Sequence, residues 1–342
     1  MSAYVMRPSR SDDFDALMEL AELSGPGFTS LPVNEERIEG RLEKSTAAFA
    51  GNLPRPEYGK YLLMMEDAET GEVVGCSAVK AGVGIDHPFF NYRIITLAQA
   101  SQAADRRFDM DALVLTNEFV GYTEVGTLFL KPETRGTGAG RLAAQSRYLL
   151  MAAKPDRFGD KVLAELRGVV SREGETPFWD CLGEHFFRMS FTEADYLSAV
   201  SDNQFILDLM PKYPIYIDLL PPEAREVIGR VHPEGVGALK LLEWEGFEFE
   251  RVIDIFDGGP MVTTRRSVIR TIRESEVLTV EAGEVGDNAA QALISNDRME
   301  DFRTTLATGE PTGDDSFVVS LDVMDRLKLK PGDQARVWLR RH

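Results

Sequence analysis

Cysteine, histidine and long apolar runs are all scarce in this sequence. Its two cysteines, Cys76 and Cys181, provide neither a disulfide framework nor a cluster of metal ligands, so we expect a reducing compartment and no metal. No window of about 18 consecutive apolar residues occurs, and residues 1–8 lack the apolar stretch of a secretion signal. We therefore expect a cytoplasmic protein that does not associate with membranes.

Positive charge is also scarce. Lys and Arg number 38 against 56 Asp and Glu, which gives a formal net charge of −18. Nucleic acids and anionic membranes attract basic surfaces, so neither is an expected partner. The negative charge favours cationic substrates, although it would equally serve solubility alone. The 342 residues, 43% of them apolar, are enough for a large core, and a prior of about 150 residues per domain predicts two domains.

The most informative segment is residues 127–140, in which an apolar strand leads into a glycine-rich turn and then a helix. Gly136, Gly138 and Gly140 have no Cβ, so the main chain can take positive φ and direct N–H groups at a phosphate. The helix that begins near Gly140 adds its unpaired first-turn N–H groups, and Arg135 adds a cation. The loop has neither the Gly-Lys-Ser/Thr ending of a nucleoside triphosphate site nor the Gly-x-Gly-x-x-Gly spacing of a dinucleotide site. A pyrophosphate-binding loop is predicted, and the alternative is a glycine-rich turn of no special use.

The Arg-x-x-Gly-x-Gly string at residues 135–140 resembles the acyl-CoA signature of the GCN5-related N-acetyltransferase superfamily. That resemblance implies that the strand, the loop and the helix hold the pyrophosphate of coenzyme A. The order of elements before the loop also agrees with the superfamily. The predicted elements are a strand at 4–8, helices from 11 and 34, a hairpin at 61–66 and 73–79, and the strand before the loop.

The rest of the chain predicts further strands and helices, followed by a β-rich C-terminal part. Short strands are predicted at 94–97, 112–115 and 162–170, helical stretches at 178–220, and a helix from Ala238 that ends at Gly246 before another strand. Beyond residue 260, short β-like segments and a Pro-Gly-Asp turn predict a small barrel. The expected fold is α/β (α+β): an N-acyltransferase-like mixed sheet with flanking helices, plus a small β-barrel-like C-terminal domain. The expected domains are an acyl-CoA N-acyltransferase-like catalytic domain at 1–260 and a β-rich domain at 261–342.

Each of the four histidines, His87, His185, His232 and His342, can be weighed as a proton-transfer group. His232 lies in a loop between two elements, and Pro233 forces extended backbone at this position. A loop histidine with a near-neutral pKa suits proton transfer. The alternative for His232 is a histidine that bonds only to local backbone.

Acyl transfer from a thioester to an amine needs a neutral amine, a donor for the oxyanion and a proton for the departing thiolate. In the superfamily the oxyanion usually meets a backbone N–H of the strand before the phosphate loop, which points here to residues from Leu128 to Leu130. His232 is the candidate acid. Direct transfer needs no cysteine nucleophile, and both cysteines are predicted to be packing residues.

Eight strings in the same order resemble the arginine N-succinyltransferase family, although agreement weakens after about residue 265. They are residues 31–35, 91–93, 127–130, 164–168, 177–179, 209–216, 231–233 and 254–260. The resemblance implies transfer of succinyl from succinyl-CoA to the α-amine of L-arginine in arginine catabolism, with no permanently bound cofactor. It also implies that Leu128 contacts succinyl-CoA and that His232 is the proton donor. The predicted acyl-CoA contacts are Leu128, Leu130, Arg135, Gly136, Gly138 and Gly140.

The acceptor site stays open at this stage. Candidate partners of a guanidinium are Glu124, Glu165, Asp254 and Asp257. Candidate partners of the substrate carboxylates are Arg93 and Arg167. Two other functions also stay open: succinyl transfer to ornithine or another basic amino acid, and a non-catalytic acyl-CoA-binding paralogue subunit. A homo- or hetero-oligomer is compatible with the sequence.

Overall fold

The structure is a computed structural model that describes residues 4–25, 28, 30–171, 173–201, 203–286, 289–313 and 315–340. The strands in these ranges are β1 (Tyr4–Pro8), β2 (Lys60–Asp67), β3 (Val73–Lys80), β4 (Asn91–Ser101), β5 (Arg106–Thr116), β6 (Thr123–Leu130), β7 (Lys161–Glu165), β8 (Ile215–Tyr216), β9 (Glu248–Asp254), β10 (Pro260–Arg265), β11 (Glu276–Ala282), β12 (Ala290–Ser295), β13 (Thr304–Thr312), β14 (Ser316–Val319) and β15 (Gln334–Leu339). The α-helices are α1 (Phe14–Ser24), α2 (Glu35–Phe49), α3 (Ala139–Ala153), α4 (Glu184–Phe187), α5 (Phe191–Val200), α6 (Gln204–Leu209), α7 (Pro222–Val227), α8 (Val236–Glu245), α9 (Arg270–Arg273) and α10 (Leu321–Leu327).

A mixed sheet forms the larger part of the fold. Its strand order is β1-β2-β3-β6-β7-β10-β9-β4-β5-β8, and β6 and β7 are its one parallel pair, joined through α3. The predicted order of strand, two helices, hairpin, strand, loop and helix is confirmed from β1 to α3. The predicted helix, glycine and strand are confirmed as α8, Gly246 and β9, with Gly246 in the left-handed region that ends a helix.

Helices cover both faces of this sheet. The apolar side chains of α1 and α2 pack against Leu62, Met64 and Phe129, whereas those of α3 pack against Leu63, Met65 and Val125. Because successive residues of a strand point to opposite faces, the alternation of Leu62 and Met64 with Leu63 and Met65 places α2 and α3 on opposite sides of β2. The helices α4 to α7 enclose a separate apolar core around Trp179.

The C-terminal strands close a small barrel. They pair in the order β12-β15-β11-β14-β13, and β13 pairs again with β12, which closes the ring. Side chains of α10 pack with the strands in the apolar core of this barrel. The prediction of a barrel-like C-terminal part is confirmed. Val5 of β1 pairs with Thr305 of β13, so the barrel and the large sheet share backbone hydrogen bonds.

Several predicted elements differ in extent. The strands predicted at 94–97 and 112–115 are the middle of a longer hairpin, β4 and β5, in which eleven residue pairs face each other. The strand predicted at 162–170 ends at Glu165. The N–H of Leu166 still donates to the carbonyl of Pro260, the first residue of β10, but the N–H of Gly168 donates to the side chain of Asp257 in the loop before β10, so the chain has left the sheet there. The domain boundary at 260/261 stays a prediction; β10 pairs with β7 and β9. Within the described ranges, no helix has the length and apolar character needed to cross a membrane.

Candidate active site

A cavity of about 1220 Å³ opens where β6 and β7 diverge. These strands pair only through Thr123↔Val162 and Glu124↔Leu163, so the rest of β6 is free to line the opening. The predicted site residues that line this cavity are Leu128, Leu130, Arg135, Gly136, Gly140 and His232. The remaining one, Gly138, is the N-cap of α3 in the same loop. The structure therefore brings the predicted pyrophosphate-binding loop, residues 135–140, and the predicted proton donor, His232, to one cavity.

The strand before the loop contains a β-bulge. The register shifts between Cys76 and Ala78 of β3, so that Thr127 and Leu128 together stand opposite Ser77. Thr127 has a φ of 49°, a left-handed conformation that costs a non-glycine residue about 1–3 kcal/mol. Such strain persists only where the surrounding structure enforces it. Here it takes the backbone of Thr127 and Leu128 out of the regular ladder beside the cavity.

The loop between β6 and α3 has two of its three glycines in the predicted conformation. Gly136 and Gly138 have φ of 82° and 96°, whereas Gly140 lies in the first turn of α3. A Cβ on Gly136 or Gly138 would meet no atom within 4 Å, so backbone conformation and not space selects glycine there. Arg135 is exposed, with its guanidinium carbon 5.9 Å from the centre of the Phe129 ring. A helix N-terminus beside an exposed arginine suits a pyrophosphate.

His232 is held in place by backbone hydrogen bonds. Its N–H donates to the carbonyl of Arg167 at 2.8 Å, and its Nδ1 accepts from the N–H of Glu234 at 3.2 Å. The neutral ring therefore carries its hydrogen on Nε2. Burial and the charge of Arg167 lower the pKa of His232, against the opposite effects of Glu234 and the Val170 carbonyl. His232 thus bonds to local backbone and also lines the cavity.

Five of the carboxylates that line the cavity are called the acidic cluster: Glu124, Glu165, Asp195, Asp254 and Asp257. Burial, followed by the charges of the other four members, raises the pKa of Glu165 well above its usual range. Burial and the charge of Asp254 raise the pKa of Asp195 to about 7. The Glu165 side chain is exposed to the solvent of the cavity, which screens part of the repulsion between these charges. A bound cation would relieve this repulsion.

Two members of the acidic cluster are already used by the fold. Asp254 Oδ1 accepts from the N–H groups of Phe256 at 2.7 Å and Asp257 at 2.9 Å. Asp257 accepts from the N–H groups of Gly168 at 2.7 Å and Gly259 at 2.8 Å. These bonds fasten the turn before β10 to the segment after β7, and they give Asp254 and Asp257 a structural role.

The other three members of the acidic cluster are different. Glu124, Glu165 and Asp195 have no hydrogen-bond or ion-pair partner among the residues that the structure describes, and all three line the cavity. Carboxylates held close together without a partner suit a cationic ligand such as a guanidinium. Asp195 was not predicted, because it lies in α5, within the helical stretch whose pattern indicates only packing.

Two guanidinium groups reach the bulge from opposite faces of the sheet. Arg41 of α2 donates to Thr127 Oγ1 at 3.3 Å. Arg147 of α3, which is 4% exposed, donates to the carbonyls of Ala144 at 3.1 Å and Gly126 at 3.4 Å. Both line the cavity, and burial lowers the pKa of both. Neither forms an ion pair with any described residue, and neither was predicted, because a single arginine in an amphipathic helix carries no sequence signal.

Of the two arginines predicted to bind substrate carboxylates, one lines the cavity and the other does not. Arg167 lines the cavity, and its Nε is buried without a hydrogen-bond partner. Arg93 is outside the set of lining residues and is bound by Glu118, 2.6 Å from its Nε. The interpretation of Arg93 as a substrate-binding residue therefore has no support in its position, because its charge is already matched at the surface.

The remaining histidines and the cysteines add little to the site. His87 lines the cavity from an exposed loop, His185 is not among the lining residues, and His342 lies outside the described residues. Cys76 is fully buried, and burial raises its pKa to about 12. Burial also raises the pKa of the half-buried Cys181. Neither thiol is placed or activated as a nucleophile.

Comparisons with known proteins agree over nearly the whole chain. The sequence family described as "Arginine N-succinyltransferase beta subunit" matches residues 4–271, and its C-terminal domain matches residues 274–338. Arginine N-succinyltransferases of Escherichia coli (strain 55989 / EAEC) and Enterobacter sp. (strain 638) are each 41% identical over 334 residues, which are 97% of this chain and 96% of theirs. The structure of arginine/ornithine succinyltransferase subunit AI from Pseudomonas aeruginosa matches with a TM-score of 0.90 and 31% identity, covering 99% of both chains.

Proposed function

Because this chain belongs to the arginine N-succinyltransferase family, we propose that it transfers a succinyl group from succinyl-CoA to the α-amine of L-arginine, giving N2-succinyl-L-arginine and CoA. The main structural support is that one cavity joins a loop suited to pyrophosphate with three carboxylates that have no partner in the described part of the chain. The loop suits a coenzyme A donor, and the carboxylates suit a basic acceptor.

The donor is proposed to lie along β6 and the loop after it. Arg135, Gly136 and the first turn of α3, which begins with Gly138 as N-cap and includes Gly140, would bind the pyrophosphate. Leu128 and Leu130 would contact the arm that carries the thioester. The bulge supports this arrangement, because a backbone N–H displaced from the ladder at Leu128 is available to the carbonyl oxygen.

The chemistry needs one proton moved from the amine to the thiol. The neutral α-amine attacks the thioester carbon, the oxyanion is stabilised by backbone N–H groups of β6, and the carbon–sulfur bond then breaks. His232 is proposed to take up the proton that the attacking nitrogen loses, which makes the ring an imidazolium, and then to give the Nε2 proton to the departing sulfur, which leaves the ring neutral again. Direct transfer fits the two cysteines, whose thiols have raised pKa values.

The acceptor is proposed to place its guanidinium against Glu124, Glu165 and Asp195. The side chains of arginine and of ornithine are both cationic and would both suit these carboxylates. The Pseudomonas aeruginosa relative is named for both amino acids. Ornithine is therefore the second candidate acceptor.

We further propose a cytoplasmic location, a catalytic unit at residues 1–260 and a β-rich unit at 261–342.

The test is a thiol-release assay with succinyl-CoA or acetyl-CoA against arginine, ornithine and lysine. We expect the fastest CoA release with succinyl-CoA and arginine, and a product whose mass is that of succinylarginine. Release with ornithine alone would move the acceptor to the second candidate. No CoA release with any of the amines would overturn the enzymatic function and favour a non-catalytic subunit.

A further inference from the structure

Arg41 lies in the wall of the cavity and forms no ion pair with any residue that the structure describes. The side chain of Asn34 caps α2, and Ile38 and Leu42 on this helix are buried against the sheet. Arg41 lies between them in sequence and lines the cavity. Among the described residues its one hydrogen-bond partner is Thr127 Oγ1, at 3.3 Å, so most of its donors have no partner within those ranges.

The protein itself does little to stabilise this charge. Burial is the largest effect on the pKa of Arg41 and lowers it, and the smaller effects of Cys76 and then Glu124 oppose it. Glu124 forms no ion pair with Arg41. A guanidinium in such surroundings is costly unless an anion pairs with it. Arg147 differs from Arg41, because two backbone carbonyls already accept its hydrogen bonds.

The position of Arg41 relates this unused charge to the reaction. Its hydrogen-bond partner, Thr127, is the strained residue of the bulge, and Leu128 beside it is the proposed oxyanion donor. In a succinyl group, three carbon–carbon bonds, at most about 4 Å in total span, separate the reacting carbonyl from the terminal carboxylate. In an α-amino acid, two bonds separate the attacking nitrogen from its carboxylate carbon. An anion therefore falls near Arg41 in either substrate.

We propose that Arg41 binds a substrate carboxylate next to the reacting carbonyl and thereby selects substrates that carry one; this rests on the proposed function. The planar guanidinium can hold a carboxylate through two parallel hydrogen bonds. Two groups carry this chemistry, the terminal carboxylate of succinyl-CoA and the α-carboxylate of the acceptor. The experiment has one arm for each.

The test compares wild type with Arg41→Gln on matched substrates. In the first arm, succinyl-CoA is compared with butyryl-CoA, which has a methyl group in place of the carboxylate. In the second arm, arginine is compared with argininamide. The preference for the carboxylate substrate should fall at least about tenfold in one arm, the usual size for a lost charge-assisted hydrogen bond, and Arg41→Lys should restore part of it. Unchanged preference in both arms would overturn the proposal.

Two controls separate this inference from other causes. Arg37→Gln removes the same charge one turn earlier on α2, from an exposed side chain that also lines the cavity, and should leave both preferences unchanged because Arg37 forms no hydrogen bond with the bulge in the described part of the chain. An equal loss in Arg37→Gln would show a general charge effect and overturn the role of Arg41. Calorimetry measures the binding of succinyl-CoA and butyryl-CoA to wild type and to Arg41→Gln without any turnover. A wild type that releases no CoA would therefore defeat the proposed function, whereas an unchanged binding preference in Arg41→Gln would defeat the donor arm.

Discussion

The donor loop, residues 135–140, and the acidic cluster line the same cavity but use charge in opposite ways. The loop is exposed and built from backbone N–H groups and one arginine side chain, so its positive character involves little desolvation. The acidic cluster is built from side chains of four elements or their ends, and besides burial the charge of Asp254 raises the pKa values of Glu165, Asp195 and Asp257. The loop can bind an anion without a change of its own charge. In the acidic cluster, the charged form of the carboxylates is electrostatically unfavourable without a bound cation.

This difference has consequences for binding. A site made of backbone donors binds a phosphate without changing its own protonation. A site made of crowded carboxylates must release protons when a cation enters, because the cation stabilises the charged form of each carboxylate. Donor binding should therefore depend weakly on pH near neutrality, and acceptor binding should depend on it strongly.

The largest effect on activity is expected at His232, because the proposed proton transfer is part of the reaction between the two substrates. His232→Ala removes the proposed proton donor, so kcat should fall by about 10²-fold or more, while the KM values for the two substrates change much less. Steady-state kinetics with thiol detection measure both. The matched control is His87→Ala, which removes a second cavity-lining imidazole in an exposed loop and should change kcat little. Near-normal turnover of His232→Ala would exclude the role.

A smaller effect, confined to the donor, is expected at Arg135. Arg135→Ala removes a charge-assisted contact with the pyrophosphate, so the KM for succinyl-CoA should rise by about tenfold. The KM for arginine should stay the same. Arg107→Ala, at an exposed position of β5, is the control for loss of surface charge. If the KM for arginine rose as much as that for succinyl-CoA, the separation of the two regions would be wrong.

The pH dependence of arginine binding tests the acidic cluster itself. Asp195 has a pKa of about 7, and the pKa of Glu165 is also raised. Without ligand, the folded state holds these protons more tightly than the unfolded chain, so their contribution to stability falls as pH rises from about 4 through 7. Arginine offsets this loss, and its affinity should weaken up to about tenfold per pH unit below 7. Calorimetry at pH 6, 7 and 8 checks this. Equal affinity at all three would contradict it.

The smallest effect on selectivity is expected at Asp257, in spite of its place in the acidic cluster. Asp257→Asn replaces one of two oxygens that accept backbone hydrogen bonds, so the free energy of unfolding should fall by about 1–3 kcal/mol. Denaturant unfolding measures this change. The preference for arginine over a neutral acceptor should persist, since the structural role explains the residue. Loss of that preference with unchanged stability would make Asp257 a ligand-binding residue.

The sequence predicts the donor loop well because its determinants are local. Gly136 and Gly138 need positive φ, and the strand, loop and helix follow one another in the chain. The same holds for the hairpin of β2 and β3. The bulge at Thr127 escapes such analysis, because its register depends on β3, and the whole β4–β5 hairpin lies between β3 and β6 in the chain.

The acceptor side is harder to predict because the fold assembles it from distant segments. Glu165 lies at the end of β7, Asp195 lies in α5 and Arg41 lies in α2. Each of these elements has a pattern explained by packing alone, and only the pairing of strands brings the charges to one cavity. Arg93 shows the converse, since its string resembles the family but its guanidinium is paired with Glu118.

The most direct test of the account compares arginine with citrulline, its neutral isostere, as acceptors for wild type and Glu165→Gln. If the acidic cluster binds the guanidinium, wild type should prefer arginine, and Glu165→Gln should reduce that preference in kcat/KM by about tenfold or more, with the KM for succinyl-CoA unchanged. An arginine preference that survives Glu165→Gln undiminished would contradict the assignment of the acceptor to the acidic cluster.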